Sequence, residues 1–391
     1  MPEAYIVAVA RTAGGRRNGR LAGWHPADLG GEVINAIVDR AGIDPDVIDD
    51  LILGCVTPIG EQTFAFARNV IFASKLPQHI PGVTIDRQCG SSQQAIHFAA
   101  QAVMSGTQDV VIAAGVESMT RVPMGANVYL PAQAGIGTGP FSQRIKDRFG
   151  TDDFSQFKGA QMIAEKHGFL RHDLDAYALE SHRRAAVASQ SGAFAAEIVP
   201  IAITLPDGTP EVHTKDEGIR YDATMEAIGA VRTLEEGGMV TAANASQICD
   251  GASGVLVVSE RALKQYSLTP MARICDLTVT AGDPIIMLEE PIPATQRALA
   301  KAGLKIGDID LYEVNEAFAP VPLAWLKVLG ADPAKINING GAIALGHPLG
   351  ASGTKLMTTL ISALTARGGR YGLQTMCEGG GVANVTIVEA L

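Results

Sequence analysis

The chain has 391 residues, a formal net charge of −10, 47% hydrophobic and 18% charged residues, which is length for two or three domains around a large core and excludes a disordered or charged-tail protein. The acidic balance argues against a nucleic-acid surface, no apolar run reaches the roughly 18 residues of a membrane-spanning helix, and the opening Met-Pro-Glu-Ala-Tyr-Ile-Val lacks the pattern of a signal peptide. Five Cys in such a length are no disulfide framework, so reduced thiols in a cytoplasmic enzyme are expected.

Through residue 118, short β-rich runs alternate with helical patterns, as in an α/β core. Residues 5–9 are a predicted strand. Residues 26–41 are a predicted helix with Leu29, Val33, Ile37 and Val38 on one face and Gly42 as its stop. An apolar run at 51–56, a helix at 64–74 and an extended stretch at 82–86 follow. Cys89-Gly90-Ser91-Ser92 then opens a helix with the stripe Ala95, Phe98, Ala99, Ala102 and Val103, and 109–115 is a buried strand. From 119 to 249 the texture changes. Pro123, Pro131, Gly135, Gly137, Gly139 and Pro140 predict an irregular stretch, then a helix over 173–191, then Pro-, Gly- and charge-rich chain through Arg220. An insert of that size is read as a subdomain with a function.

After Asp250 the α/β texture returns. Strands are predicted at 254–259, 272–280, 310–314, 373–377 and 383–388. Helices are predicted at 294–302, at 318–329 with interruptions at Pro320 and Pro322, and at 354–366 after the glycine-rich segment 339–353. The two halves echo each other: small residues open a helix, then come a glycine turn and an apolar strand, at Cys89 and again at Gly350. The division is therefore 1–118 with 250–270, the insert 119–249, and 271–391.

Four places could carry chemistry. Cys89 stands at a helix start, where unpaired N–H groups and the helix dipole favour a thiolate, although a buried structural Cys is the commoner fate. Cys377 ends a strand before Glu378-Gly379-Gly380-Gly381, a run that exposes backbone N–H groups or is simply a turn. His347 lies in a glycine-rich loop, with an ordinary pKa suited to proton transfer. Asn315-Glu316-Ala317-Phe318 follows a strand and reads alternatively as a helix N-cap. No metal-ligand spacing and no phosphate loop stand out, and Gly135-x-Gly137-x-Gly139 neither follows a strand nor opens a helix. Cys55, Cys249 and Cys275 are expected to pack as small hydrophobes.

These motifs, in this order, resemble the thiolase family, CoA-dependent acyltransferases that make or cleave 3-oxoacyl-CoA, over nearly the whole chain. The resemblance implies an α/β fold of duplicated halves in a layered α-β-α-β-α core with an inserted loop subdomain for CoA. It implies that Cys89 is the acylated nucleophile, His347 its base and Cys377 the second acid/base. Asn315 would hold a water in one oxyanion hole, with His347 as its other donor, and the N–H groups of Cys89 and Gly379 would form the second. Arg220 resembles a residue along the adenine end of CoA, Ser246 one that bonds the pantetheine, and Met287 and Phe318 the apolar wall near the thioester. CoA and acyl-CoA thioesters would be the partners, with no permanently bound cofactor and no metal, in a homodimer or homotetramer.

The chain departs from the family pattern at Asp86, where many members have Asn, and at Gln247, where Gly often follows Asn-Ala-Ser. It also has no His in Phe157-Lys158-Gly159-Ala160-Gln161-Met162, where the short-chain biosynthetic branch has one. The missing His favours thiolytic cleavage of 3-oxoacyl-CoA, as in β-oxidation, over the alternative of acetoacetyl-CoA synthesis. A condensing enzyme for carrier-protein thioesters is disfavoured by the Cys377-Glu378-Gly379-Gly380 run. A non-catalytic acyl-CoA or lipid binder is disfavoured by the complete set of catalytic matches. Arg144, Lys146, Arg148 and Lys158 are either a solvated face or contacts for CoA phosphates.

Overall fold

A computed structural model describes residues 2–205 and 207–391. Its frame is set by period-two patterning. In the strand Val110–Ser118, Val110, Ile112, Ala114 and Val116 join one apolar cluster while Val111 and Ala113 join another on the opposite face. Both faces of this strand are buried, so it reads as a continuous hydrophobic run. The first half contributes β1 (Ala4–Thr12), α1 (Pro26–Ala41), β2 (Asp50–Gly54), α2 (Phe66–Phe72), β3 (Gly82–Ile85), α3 (Ser91–Ser105), β4 (Val110–Ser118) and β5 (Cys249–Ser259). The second contributes β6 (Ala272–Ala281), α5 (Pro291–Ala302), β7 (Leu311–Val314), α6 (Pro320–Leu329), α7 (Ser352–Arg367), β8 (Tyr371–Glu378) and β9 (Val382–Ala390). Between β4 and β5 lies the insert, whose longest helix is α4 (Arg171–Gln190).

Among the described residues these strands belong to one 11-stranded sheet ordered β7-β8-β9-β6-β1-β5-β4-β2-β3. The order is the same in both halves. In the first, the third strand β3 pairs with β2, β2 with β4, β4 with β5, and β5 with β1. In the second, a single bridge at Ile336 stands for the third strand, and β7, β8, β9 and β6 repeat the rest. The halves join where Tyr5 and Ile6 of β1 meet Arg273 and Ala272 of β6.

Burial defines five layers. α1 and α2 cover the outer face of the first half, and α5 and α6 cover that of the second. α3 and α7 form the middle layer, sharing one cluster with residues from both halves of the sheet: Ala95, Ala99 and Val103 beside Met357, Leu360 and Leu364. This is the layered α-β-α-β-α architecture the resemblance implied. It aims the starts of α3 and α7, hence Cys89 and the His347 loop, at one region.

Three elements differ from the sequence expectation. Residues 126–133 are helical around Pro131 inside the stretch expected to be irregular. The charge-rich chain before Arg220 contains a hairpin, Ile201–Thr204 with Pro210–His213. The helix expected to be interrupted by two prolines instead starts at Pro320, where Pro320 and Pro322 occupy first-turn positions that need no intrahelical N–H.

Candidate active site

The turn that carries Cys89 is strained and held from below. Gln88 adopts a left-handed conformation with φ 47°. Asp86 Oδ1 accepts from the Gln88 backbone N–H at 2.7 Å, and Ser91 Oγ accepts from the Arg87 N–H at 2.9 Å. Asp86 therefore performs a turn-capping role through its acceptor oxygen. Cys89 sits one residue before the cap of α3, is 4% exposed, and packs with Leu356, Met376 and Leu349. Leu349 is two residues past His347, so the His347 loop rests against the Cys89 neighbourhood.

The helix start alone does not win. Burial first, and the nearby Glu378 second, push the Cys89 thiol up to about 12, against the opposing pull of the N–H groups of Cys89 and Gly379. At neutral pH the Cys89 side chain is a thiol. Cys377 is fully buried at the end of β8; burial and then the neighbouring Cys89 hold it well above an ordinary thiol. It too keeps its proton at neutral pH.

His347 is neutral in the resting protein, which corrects the expectation of an ordinary imidazole. Burial, followed by the nearby Lys355 charge, lowers it to about 3. Its tautomer follows from its partners. Ser352 Oγ lies 2.5 Å from His347 Nδ1 and 2.9 Å from the Pro348 carbonyl. With the Ser352 proton on that carbonyl, Nδ1–H donates to Ser352 and Nε2 carries the lone pair. Asn315 Nδ2 donates toward Nε2 at 3.3 Å, and Asn315 Oδ1 is a buried acceptor without a partner. Asn315 is therefore not a helix cap; the following helix starts at Pro320.

Several residues that hold this geometry were not singled out from sequence. Lys355 is buried on α7, and its Nζ donates to the Leu345 and Gly346 carbonyls, at 2.6 and 3.0 Å, just before His347. The Gln247 carbonyl accepts the His347 N–H at 3.0 Å while its side chain donates to Gly218 and Ile343 carbonyls. Gln247, noted only as a departure, ties the His347 loop to the insert. Glu316 accepts from Tyr177, Ser181, Asn337 and the Ile343 N–H, fastening α4 to the same loop. Ser352 and Lys355 share a face of α7 by their three-residue spacing, the one signal that could have marked them.

The remaining expected residues fall into two groups. Met287 and Phe318 are buried in the apolar cluster that also holds Cys377, and Phe157 meets Phe318 edge-on at 5.6 Å. Arg220 is exposed and lines a cleft of about 300 Å³ with His182, Ala243, Gln247 and Ile343, a size within the usual range for small-molecule sites. Ser246, beside Gln247, is half-buried, its backbone N–H bonded to the Ala317 carbonyl. Arg144, Lys146, Arg148 and Lys158 lie outside this cleft, and Lys158 pairs with Asp153 at the surface. No group of three or more metal-binding side chains occurs among the described residues.

Comparisons with known proteins bear on the fold and the family. The model of the thiolase N-terminal domain matches residues 4–261, and that of the thiolase C-terminal domain residues 268–390. A steroid 3-ketoacyl-CoA thiolase of Mycobacterium tuberculosis is 52% identical over 100% of this chain and 95% of its own. An acetyl-CoA acetyltransferase of Escherichia coli K12 is 40% identical over 100% of both. The crystal structure of human mitochondrial 3-ketoacyl-CoA thiolase superposes with a TM-score of 0.90 at 35% identity, covering 100% of this chain and 99% of that one. Two family models that span nearly the whole sequence, with full-length relatives well above 30% identity, make this chain a member of the thiolase family of acyltransferases.

Proposed function

We propose that this enzyme cleaves 3-oxoacyl-CoA with CoA, releasing acetyl-CoA and an acyl-CoA shortened by two carbons. The observation that carries the reading is the setting of His347: it is buried and neutral, with Nδ1 2.5 Å from Ser352 Oγ and Nε2 turned toward Asn315, which leaves Nε2 to act as the base. Nε2 takes the Cys89 proton as sulfur attacks the 3-oxo carbon. The oxyanion meets donors supplied by the N–H groups of Cys89 and Gly379 or by Asn315 with His347. The C2–C3 bond then breaks toward C2, and the Cys377 thiol protonates the acetyl-CoA carbanion, leaving a thiolate. Incoming CoA gives its proton to that thiolate and its sulfur to the acyl carbon. Released Cys89 recovers its proton from His347, and the site is reset.

CoA is assigned to the cleft lined by Arg220, with Ser246 toward the pantetheine and Met287 and Phe318 as the apolar wall; the 119–249 segment is its docking subdomain. Degradation is preferred over acetoacetyl-CoA synthesis because the 52%-identical relative bears a 3-ketoacyl-CoA thiolase name, and because Phe157 stands against Phe318 in the region where the biosynthetic branch has an imidazole. No helix of the described residues is long and apolar enough to cross a membrane. We read the enzyme as cytoplasmic and self-associating as a dimer or tetramer. Support for association is the terminal strand β3, one edge of which pairs with no strand among the described residues, with Val83 on it and Phe64 and Phe72 nearby exposed.

The test is consumption of 3-oxoacyl-CoA substrates of graded length, including branched and ring-bearing acyl groups, followed by loss of enolate absorbance in the presence of CoA. Turnover of at least one series is expected. Persistence of every substrate would overturn the reading.

A further inference from the structure

Two buried acids occupy matching positions in the two halves, and their surroundings differ. Glu117 on β4 and Glu378 on β8 each lie near the end of the fourth strand of their half. Each presses on a glycine that opens the other half's central helix: Gly350 for Glu117 and Gly90 for Glu378. A Cβ at residue 90 would overlap the Glu378 carboxyl, so glycine there is what admits the acid. Glu117 is a brace. Its carboxylate accepts from the N–H groups of Val56, Thr57 and Gly350 and from Gln62 Nε2, all within 3.1 Å. Glu378 is 0% exposed, and neither of its oxygens has a hydrogen-bond partner.

A buried acid without donors is no brace; an ionised carboxylate there would be uncompensated. The groups around it are few. From the turn before α3, Arg87 is the charge that acts on it, and Cys89 lies beside it. Cys377 precedes it on its own strand, and from β9 the Asn384 N–H points toward it without completing a hydrogen bond. Asp86 acts on Cys89 more weakly than Glu378 does. Burial, opposed by Arg87, raises the Glu378 carboxyl to about 8.

We propose that Glu378 is a positioning residue for Cys89: it keeps its proton while the thiolate forms, and loss of that proton turns the nucleophile off. The proposal rests on the reading of Cys89 as the acyl acceptor. During attack, one proton passes from Cys89 to His347, and the negative charge on sulfur is met by the N–H groups of Cys89 and Gly379. With Glu378 neutral, that charge stands alone. With Glu378 ionised, its proton gone to solvent, a second negative charge sits one residue from Gly379 and opposes the thiolate. No bond forms to Glu378.

The experiment is alkylation of Cys89 by iodoacetamide, read by peptide mass spectrometry across pH, beside the pH profile of turnover. It does not need turnover, so it separates this proposal from the thiolysis reading. In the unaltered enzyme, Cys89 alkylation flattens and turnover falls with a midpoint near pH 8. In Glu378→Gln the alkylation rate keeps climbing, reaching about tenfold above the unaltered enzyme near pH 9.5, and the alkaline fall in turnover disappears. Arg87→Met leaves the acid in place, removes the cation that favours its ionised form, and moves the alkaline midpoint to higher pH. It keeps the proposal open to refutation if the Gln variant fails to fold. Superimposable profiles for Gln and the unaltered protein, or an Arg87→Met midpoint that stays or moves to lower pH, would overturn the proposal.

Discussion

The two halves share a strand order and differ most in the connection from fourth to fifth strand. In the first half, residues 119–248 lie between Ser118 and Cys249; in the second, only Gly379-Gly380-Gly381 lie between Glu378 and Val382. The tight connection turns with φ 86° at Gly380 and 76° at Gly381, a conformation that favours glycine, and it brings the Gly379 N–H to the Cys89 sulfur. The long one holds the Arg220 cleft and reaches back through Glu316 and Gln247 to fasten the His347 loop. On the function proposed above, one slot in a duplicated topology serves the reacting atoms on one side and ligand docking on the other.

Substitutions in matched places sharpen this contrast. Cys89→Ala removes the proposed acyl acceptor and should lower turnover by at least about 10⁴-fold, with the fold unchanged by circular dichroism. Ser352→Ala frees the His347 tautomer and should lower kcat by about 10- to 100-fold with little change in KM. A comparable rise in KM with kcat intact would show that Ser352 serves binding and not the base. Gly350→Ala, at the start of the second central helix, places a Cβ 2.7 Å from both Glu117 Oε2 and the Cys55 Cα. It should cost about 1–3 kcal/mol, measured by denaturant midpoint. Arg220→Ala should raise KM for CoA a few-fold and leave kcat alone, since an exposed charge contributes about 1 kcal/mol or less.

The fold was legible where the pattern had a physical period. The helix expected at 26–41 is Pro26–Ala41, closed by Gly42 in the left-handed conformation. β5 was expected from 254 but begins at Cys249, because Asp250, Gly251 and Ser253 lack an apolar pattern and owe their strand to pairing with Ser118, Glu117 and Gly115. The exposed helix around Pro131 was hidden by its proline and glycine neighbours. At the site, Cys89, Cys377, His347 and Asn315 could be named because their motifs are local. Gln247 and the contrast between Glu117 and Glu378 depend on which loops meet, and nothing within a few residues of each encodes that; Lys355 has only its three-residue spacing from Ser352 as a local signal.

The most direct measurement uses Cys377→Ala, in which the proposed nucleophile and base are intact and the proposed proton donor to carbon is gone. Incubated with an acyl-CoA thioester and digested, this variant should carry the acyl group on the Cys89 peptide while leaving 3-oxoacyl-CoA uncleaved. Acyl label on any other cysteine, or continued carbon–carbon cleavage, would contradict the division of labour between the two sulfur atoms.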